Sequence, residues 1–307
     1  FCMMMYGNEP AGVGSSTYLA NFVTTWKDRD NRRLYCSGAG WPMLAVNDFL
    51  SDPAPRIQGW GQGLRSIINA EPPRTDYDWS EYVSRFSQPV VSHEIGQWCV
   101  YPNFKEISKY DGVMRPANME IFRDILQNNG MIHLADSFLL ASGKLQALCY
   151  KADVEAALRT RNFGGFQLLG LNDFPGQGTA LVGVLDAFWE GKGYISPEEY
   201  RRFCAPTVPL ARLPKLIYKN DELLNARVEV AHYGETPLKN VAAGWTLSDT
   251  AGNVLQSGQW KVDLLPIGNN FPLGDISASL AQMETPRRLV LEVAVGEWKN
   301  SWNVWVY

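Results

Sequence analysis

The chain of 307 residues is poor in histidine: His93, His133 and His232 stand far apart, so no histidine-rich metal site is expected. Its five cysteines (Cys2, Cys36, Cys99, Cys149 and Cys204) are scattered, and no pair has metal-ligand spacing. An odd number leaves at least one thiol unpaired, and we read the set as reduced and mostly buried, the habit of free cysteine. No apolar run approaches the roughly 18–20 residues that span a bilayer. Charge is nearly balanced, with 28 Lys and Arg against 32 Asp and Glu and a net charge of -4. That favours neither a nucleic-acid backbone nor an anionic membrane as partner. No glycine-rich phosphate loop is found, because "GQGTA" (residues 176–180) lacks the Lys-Ser/Thr of a P-loop. Internal repeats and low-complexity tracts are also missing.

What is present is a 46% apolar composition with 11 Trp, 13 Tyr and 13 Phe. Aromatic side chains of this kind either fill a core or stack on sugars. The opening run "MMMYGNEP" reads as a fully buried strand that delivers Asn8 and Glu9 to an edge, where Pro10 stops it. Ser15, Ser16 or Thr17 can cap the following helix, which carries Tyr18, Leu19, Phe22, Val23 and Trp26 at helical spacing. With the short strand in "RRLYCSGAG" this makes a βαβ unit and hence a parallel sheet. Residues 41–78 read as a long loop-like excursion containing "IQGWGQG".

"QPVVSHEIGQW" is a second buried strand ending at Glu94, and "GGFQLLGLNDF" a third, ending at Asn172 and Asp173. Between them lie two strong helices, the first closed by Asn-Asn-Gly. "SPEEYRRF" has Pro at the first helical position and the Ser196-x-x-Glu199 spacing of a capping box. Beyond about residue 207 the segments alternate or are β-rich and are separated by turn signals such as "SDTAGN". This texture predicts an antiparallel sandwich.

A carboxylate at a strand end is either a helix cap or salt-bridge partner, or a catalytic group. If the strands belong to a β/α barrel, their C-terminal ends open on one face, and Glu9 and Glu94 face one pocket. Two carboxyl groups there can hydrolyse a glycoside, one as proton donor and the other as nucleophile or base. His93 precedes Glu94, and strand alternation directs its side chain away from that of Glu94, which favours a structural role. Tyr101 and Asn103 follow in "CVYPNF"; Tyr101 either orients a carboxylate or packs. Asp173 either meets a sugar hydroxyl or caps the turn at "PGQG", and Trp98 is core or platform.

The strand with "NE" at 8–9, "SHEIG" at 92–96 and the segment from "NDFPGQG" to "PLARL" (172–213) resemble glycoside hydrolase family 2. Its catalytic glutamates end barrel strands four and seven. The resemblance covers essentially the whole chain. It implies the C-terminal part of a (β/α)8 TIM barrel over residues 1–206, followed by an immunoglobulin-like antiparallel β-sandwich over 207–307. It also implies a retaining, exo-acting β-glycosidase: Asn8 binds the sugar 2-hydroxyl, Glu9 is acid/base and Glu94 the nucleophile. Trp41, Trp98, Tyr101, Asn172 and Asp173 are the further substrate-binding candidates.

The implied substrate is a β-galactoside first and a β-glucuronide or β-mannoside second, at the end of an oligosaccharide or polysaccharide, and the chemistry needs no cofactor. A periplasmic or secreted location agrees with the resemblance. Two departures stand out. Ile95 replaces a common aromatic, and Leu169 stands where a sugar-stacking tryptophan is usual, leaving Trp41, Trp60 or Trp98 to supply that platform. They motivate the alternative of a non-catalytic carbohydrate-binding relative. Because Phe1 already lies in the strand read as the fourth, the chain is expected to be a fragment whose activity needs the missing N-terminal half.

Overall fold

The computed structural model describes residues 1–59, 61–281 and 283–307; Trp60 lies outside them. The protein is mixed α/β, with mostly β-sheet in its C-terminal half. It divides into two compact units, one of Phe1–Ser92, Val154–Gly165 and Arg201–Tyr307, the other of His93–Asp153 and Phe166–Tyr200.

In chain order the elements are β1 (Met3–Met5), α1 (Ser15–Arg29), β2 (Leu34–Cys36), β3 (Leu50–Asp52), α2 (Ile67–Ala70), α3 (Ser80–Val83) and β4 (Val90–Ile95). Next come α4 (Ala117–Asn128), α5 (Ala135–Arg159), β5 (Phe163–Leu168) and α6 (Pro197–Arg201). The last strands are β6 (Thr207–Arg212), β7 (Ile217–Tyr218), β8 (Leu223–His232), β9 (Leu238–Asp249), β10 (Val254–Leu265), β11 (Gly268–Ser279), β12 (Arg287–Val295) and β13 (Trp298–Val306).

In the first unit β1 and β2 pair in parallel, Met4 opposite Tyr35. The parallel geometry read from the sequence is therefore present, but β1 is not fully buried. Met3 is 44% exposed and Tyr6 is exposed as well. The physical reason is position: among the described residues the sheet of β1 has two strands, β1 and β2. Helix α1 turns Leu19 and Val23 inward, as the spacing predicts. Its start is not the serine or threonine cap expected. Gly14, in left-handed backbone, occupies the cap position, and no side chain bonds there.

The 41–78 segment is not all loop either, because β3 pairs in parallel with β4 (Leu50 opposite Val90). Three residues, two of them the buried polar Ser51 and Asp52, carry too little β signal to read. Their burial is made possible by bonds: Tyr82 donates to Asp52 at 2.5 Å, and Asp52 accepts from the Ala54 amide. Leu50, Val83 and Val90 pack with Trp79 and Phe163 beneath this sheet.

The C-terminal strands form a five-stranded sheet, β10-β9-β12-β13-β7, and a three-stranded sheet, β11-β8-β6. Both contribute to one core, with Leu224 and Val228 from β8 and Ile276 from β11 meeting Leu247, Leu291 and Val304 of the larger sheet. This shared apolar layer is the arrangement of a β-sandwich. The β9–β10 hairpin turns where "SDTAGN" predicts it. Asp249 Oδ1 accepts from the amides of Ala251 and Asn253.

In the same unit Glu155 is buried and accepts from Arg159, Asn300 and Trp302. No helix among the described residues is long and apolar enough to cross a membrane. All five cysteines are free. Cys36 and Cys149 are buried, Cys204 is intermediate, and Cys2 and Cys99 are exposed, so "mostly buried" was too strong.

Candidate active site

In the first unit the chain beyond β1 stays tethered to the chain beyond β2. The Ala39 amide donates to Gly7 O and the Glu9 amide donates to Ala39 O, both at 2.9 Å. Asn8 bridges to Ala39 in the parallel sense and is exposed, while Glu9 is half-buried. Pro10 then packs against Gly38, where a Cβ would lie 2.6 Å from the Pro10 ring. Only glycine leaves room for that turn. Glu9 itself has φ 48, a left-handed backbone that is uncommon for a residue with a side chain. Trp41 is 42% exposed in the same unit.

In the second unit the end of β4 repeats the feature. Glu94 has φ 53 and is followed by Gly96 at φ 85. The left-handed turn breaks the alternation of the strand, and with it the expectation that His93 points away from Glu94. His93 Nε2 lies 3.4 Å from Glu94 Oε1. On the other side of the ring, Nδ1 lies 3.5 Å from Gln167 Oε1 of β5. Gln97 Nε2 donates to Glu94 Oε2 at 3.3 Å. Sequence reasoning passed over Gln97 and Gln167. The signal for Gln167 was one amide among the apolar residues of "GGFQLL".

The other candidates have identifiable surroundings. Tyr101 sits edge-on to Phe104, Phe122 and Phe138, with ring centroids 5.9, 6.0 and 5.4 Å away. It lines an open apolar pocket of about 500 Å³ with Cys99, Phe122, Phe138 and Leu181. Burial pushes its hydroxyl above the usual tyrosine range. Trp98 is partly buried, and its carbonyl accepts from Gln146 Nε2 at 2.6 Å.

Strand β5 stops at Leu168, four residues short of the Asn172 end read from the sequence. Asn172 instead bridges to Leu185. Asp173 is buried; its Oδ2 meets Lys192 Nζ at 2.6 Å, and its Oδ1 accepts from the Gly183 amide at 2.9 Å. Burial raises its carboxyl above the ordinary value, partly opposed by the charge of Lys192. These contacts give Asp173 a structural partner.

A family model described as a domain of unknown function (DUF8488) matches residues 222–307, within the sandwich. No curated protein matches. An exo-chitosanase from Amycolatopsis orientalis is similar in structure at TM-score 0.35 and 12% identity, over 55% of this chain and 19% of that one. A β-glucuronidase from Parabacteroides merdae follows at TM-score 0.23 and 13% identity, over 28% of this chain and 12% of that one.

The CARDB domain of a Pyrococcus furiosus protein gives TM-score 0.26 and 14% identity, over 33% of this chain and 91% of that domain. The neighbours thus include glycosidases, of which this chain spans less than a fifth of the length.

Proposed function

We propose that this chain is the C-terminal half of a retaining, exo-acting β-glycoside hydrolase of the family 2 type. Residues 1–206 then supply the later strands of a (β/α)8 barrel, and 207–307 an immunoglobulin-like sandwich that braces it. The observation that carries the reading is the shared backbone of the two acids. Glu9 follows β1 and Glu94 lies next to the last residue of β4, both strands paired in parallel, and both acids hold positive φ, at 48 and 53. Left-handed backbone in a residue other than glycine costs about 1–2 kcal/mol, persists where the surroundings over-determine it, and clusters at active sites and ligand clamps.

In this mechanism Glu9 protonates the glycosidic oxygen as it leaves. Glu94 attacks the anomeric carbon and forms a covalent glycosyl-enzyme. Glu9, now a base, takes a proton from water, which displaces Glu94. Retention requires the two carboxyl groups to approach to about 5–5.5 Å. Asn8 is assigned to the 2-hydroxyl of the sugar. The first substrate is a β-galactoside, with a β-glucuronide or β-mannoside as the alternatives, and the N-terminal half is a required partner.

The test is a screen of nitrophenyl β-glycosides with the full-length protein, followed by Glu9→Gln and Glu94→Gln. Turnover should fall by about a thousandfold or more in each variant. Full activity in Glu94→Gln ends the assignment of the nucleophile. Residues 1–307 alone should turn over poorly, and robust activity would overturn the required-partner part of the proposal.

A further inference from the structure

We infer that His93 is a positioning residue for Glu94, an inference that rests on the reading of Glu94 as nucleophile. The ring is enclosed, with only 4% of the side chain exposed, whereas 22% of the Glu94 side chain is. Gln167 Oε1 faces Nδ1 at 3.5 Å and Glu94 Oε1 faces Nε2 at 3.4 Å, so the ring is held between a carboxamide and a carboxylate. A ring with hydrogen on both nitrogens satisfies both acceptors. A neutral ring with hydrogen on Nε2 does so as well, once the Gln167 carboxamide is turned about its last bond. Both arrangements place a donor on Nε2, 3.4 Å from Glu94 Oε1.

Gln97 supplies the second donor, to Glu94 Oε2, from an exposed position. A donor beside each oxygen orients the carboxylate, and the histidine is the more enclosed of the two. This matters because displacement at an anomeric carbon needs the attacking oxygen about 3–3.5 Å away and in line. A contact of 3.4 Å is long for a hydrogen bond, and contacts of this kind tighten in the substrate complex.

Asparagine and glutamine separate this role from simple packing. At position 93 an asparagine amide reaches only the place of Nδ1, so it keeps Gln167 and removes the donor beside Glu94 Oε1. A glutamine amide reaches the place of Nε2. In the full-length protein, with the nitrophenyl glycoside it turns over, His93→Asn should lower kcat by about 10–100-fold with KM within about twofold. His93→Gln should lose less than about fivefold, a rescue by geometry.

In a Glu94→Ala background with azide as external nucleophile, adding His93→Asn should bring no further loss, because the two act through one group. Equal loss in both histidine variants, through misfolding included, overturns the inference, as does wild-type kcat in His93→Asn. Activity retained in Glu94→Gln instead removes the nucleophile reading on which it rests.

Discussion

His93 Nε2 and Glu94 Oε1 lie 3.4 Å apart although the two residues are consecutive in β4. In regular strand geometry successive side chains leave opposite faces. The left-handed backbone of Glu94 turns its side chain back toward its neighbour's and so creates the pair.

That backbone predicts a stability difference. Glu94→Gly and Glu94→Ala both remove the carboxylate, but alanine keeps the strain and glycine relieves it. The glycine variant should unfold at higher urea, by about 1 kcal/mol, with activity absent from both. The same ordering is expected at Glu9. Equal midpoints for the two variants would show that the positive φ costs nothing there.

Gly96→Ala tests the turn that follows. Gly96 has φ 85, and an added Cβ would run into the Tyr150 ring. That ring has little freedom to move, since Tyr150 is fully buried and its hydroxyl donates to Val182 O at 2.8 Å. Thermal unfolding should show a loss of about 2 kcal/mol or more, the range of core overpacking with backbone strain. A loss below about 0.5 kcal/mol would mean the ring yields freely.

Lys192→Met should destabilise by about 3–5 kcal/mol, because it strands the buried Asp173 carboxylate now 2.6 Å from the ammonium. Lys192→Met with Asp173→Leu should recover much of that loss, since an apolar pair leaves no uncompensated charge. Denaturant unfolding of the single and double variants measures the difference. A double variant no better than the single would assign the cost to packing.

Glu106 predicts a pH dependence. It is buried, and its Oε2 has no hydrogen-bond partner among the described residues. Burial pushes its carboxyl from 4.5 up to about 7; Lys192 and Lys109 pull it down, and Asp186 and Asp173 push it further up. Between these two values the folded state holds the proton more tightly than the unfolded chain does. The stability this contributes is full below about pH 4.5 and is lost as pH rises through about 7, by at most about 3 kcal/mol. Glu106→Gln should flatten that part of the unfolding profile. An unchanged slope would place the titration elsewhere.

Features set by near neighbours along the chain are legible in the residues themselves. The Ser196–Glu199 capping box is formed in both directions, Ser196 N to Glu199 Oε2 and Glu199 N to Ser196 Oγ. The turn at Asp249 and the inward face of α1 are also where the pattern puts them, because each depends on spacings of a few residues. The strand β3 is not legible in this way, since two of its three residues are polar and their burial leans on groups outside the strand, among them the Tyr82 hydroxyl on Asp52, 30 positions away, and the Gly40 amide on Ser51.

By itself, then, the sequence determined the periodic elements, the change from helical to β-rich texture near residue 207, and the strands that lead to Glu9 and Glu94. Tertiary structure alone decided that Asp173 is paired inside the protein with Lys192, that Tyr101 sits among phenylalanines, and that His93 reaches Glu94. The reason is that burial and a single left-handed dihedral depend on groups remote along the chain, whereas caps, turns and helix faces are settled within one or two turns of backbone.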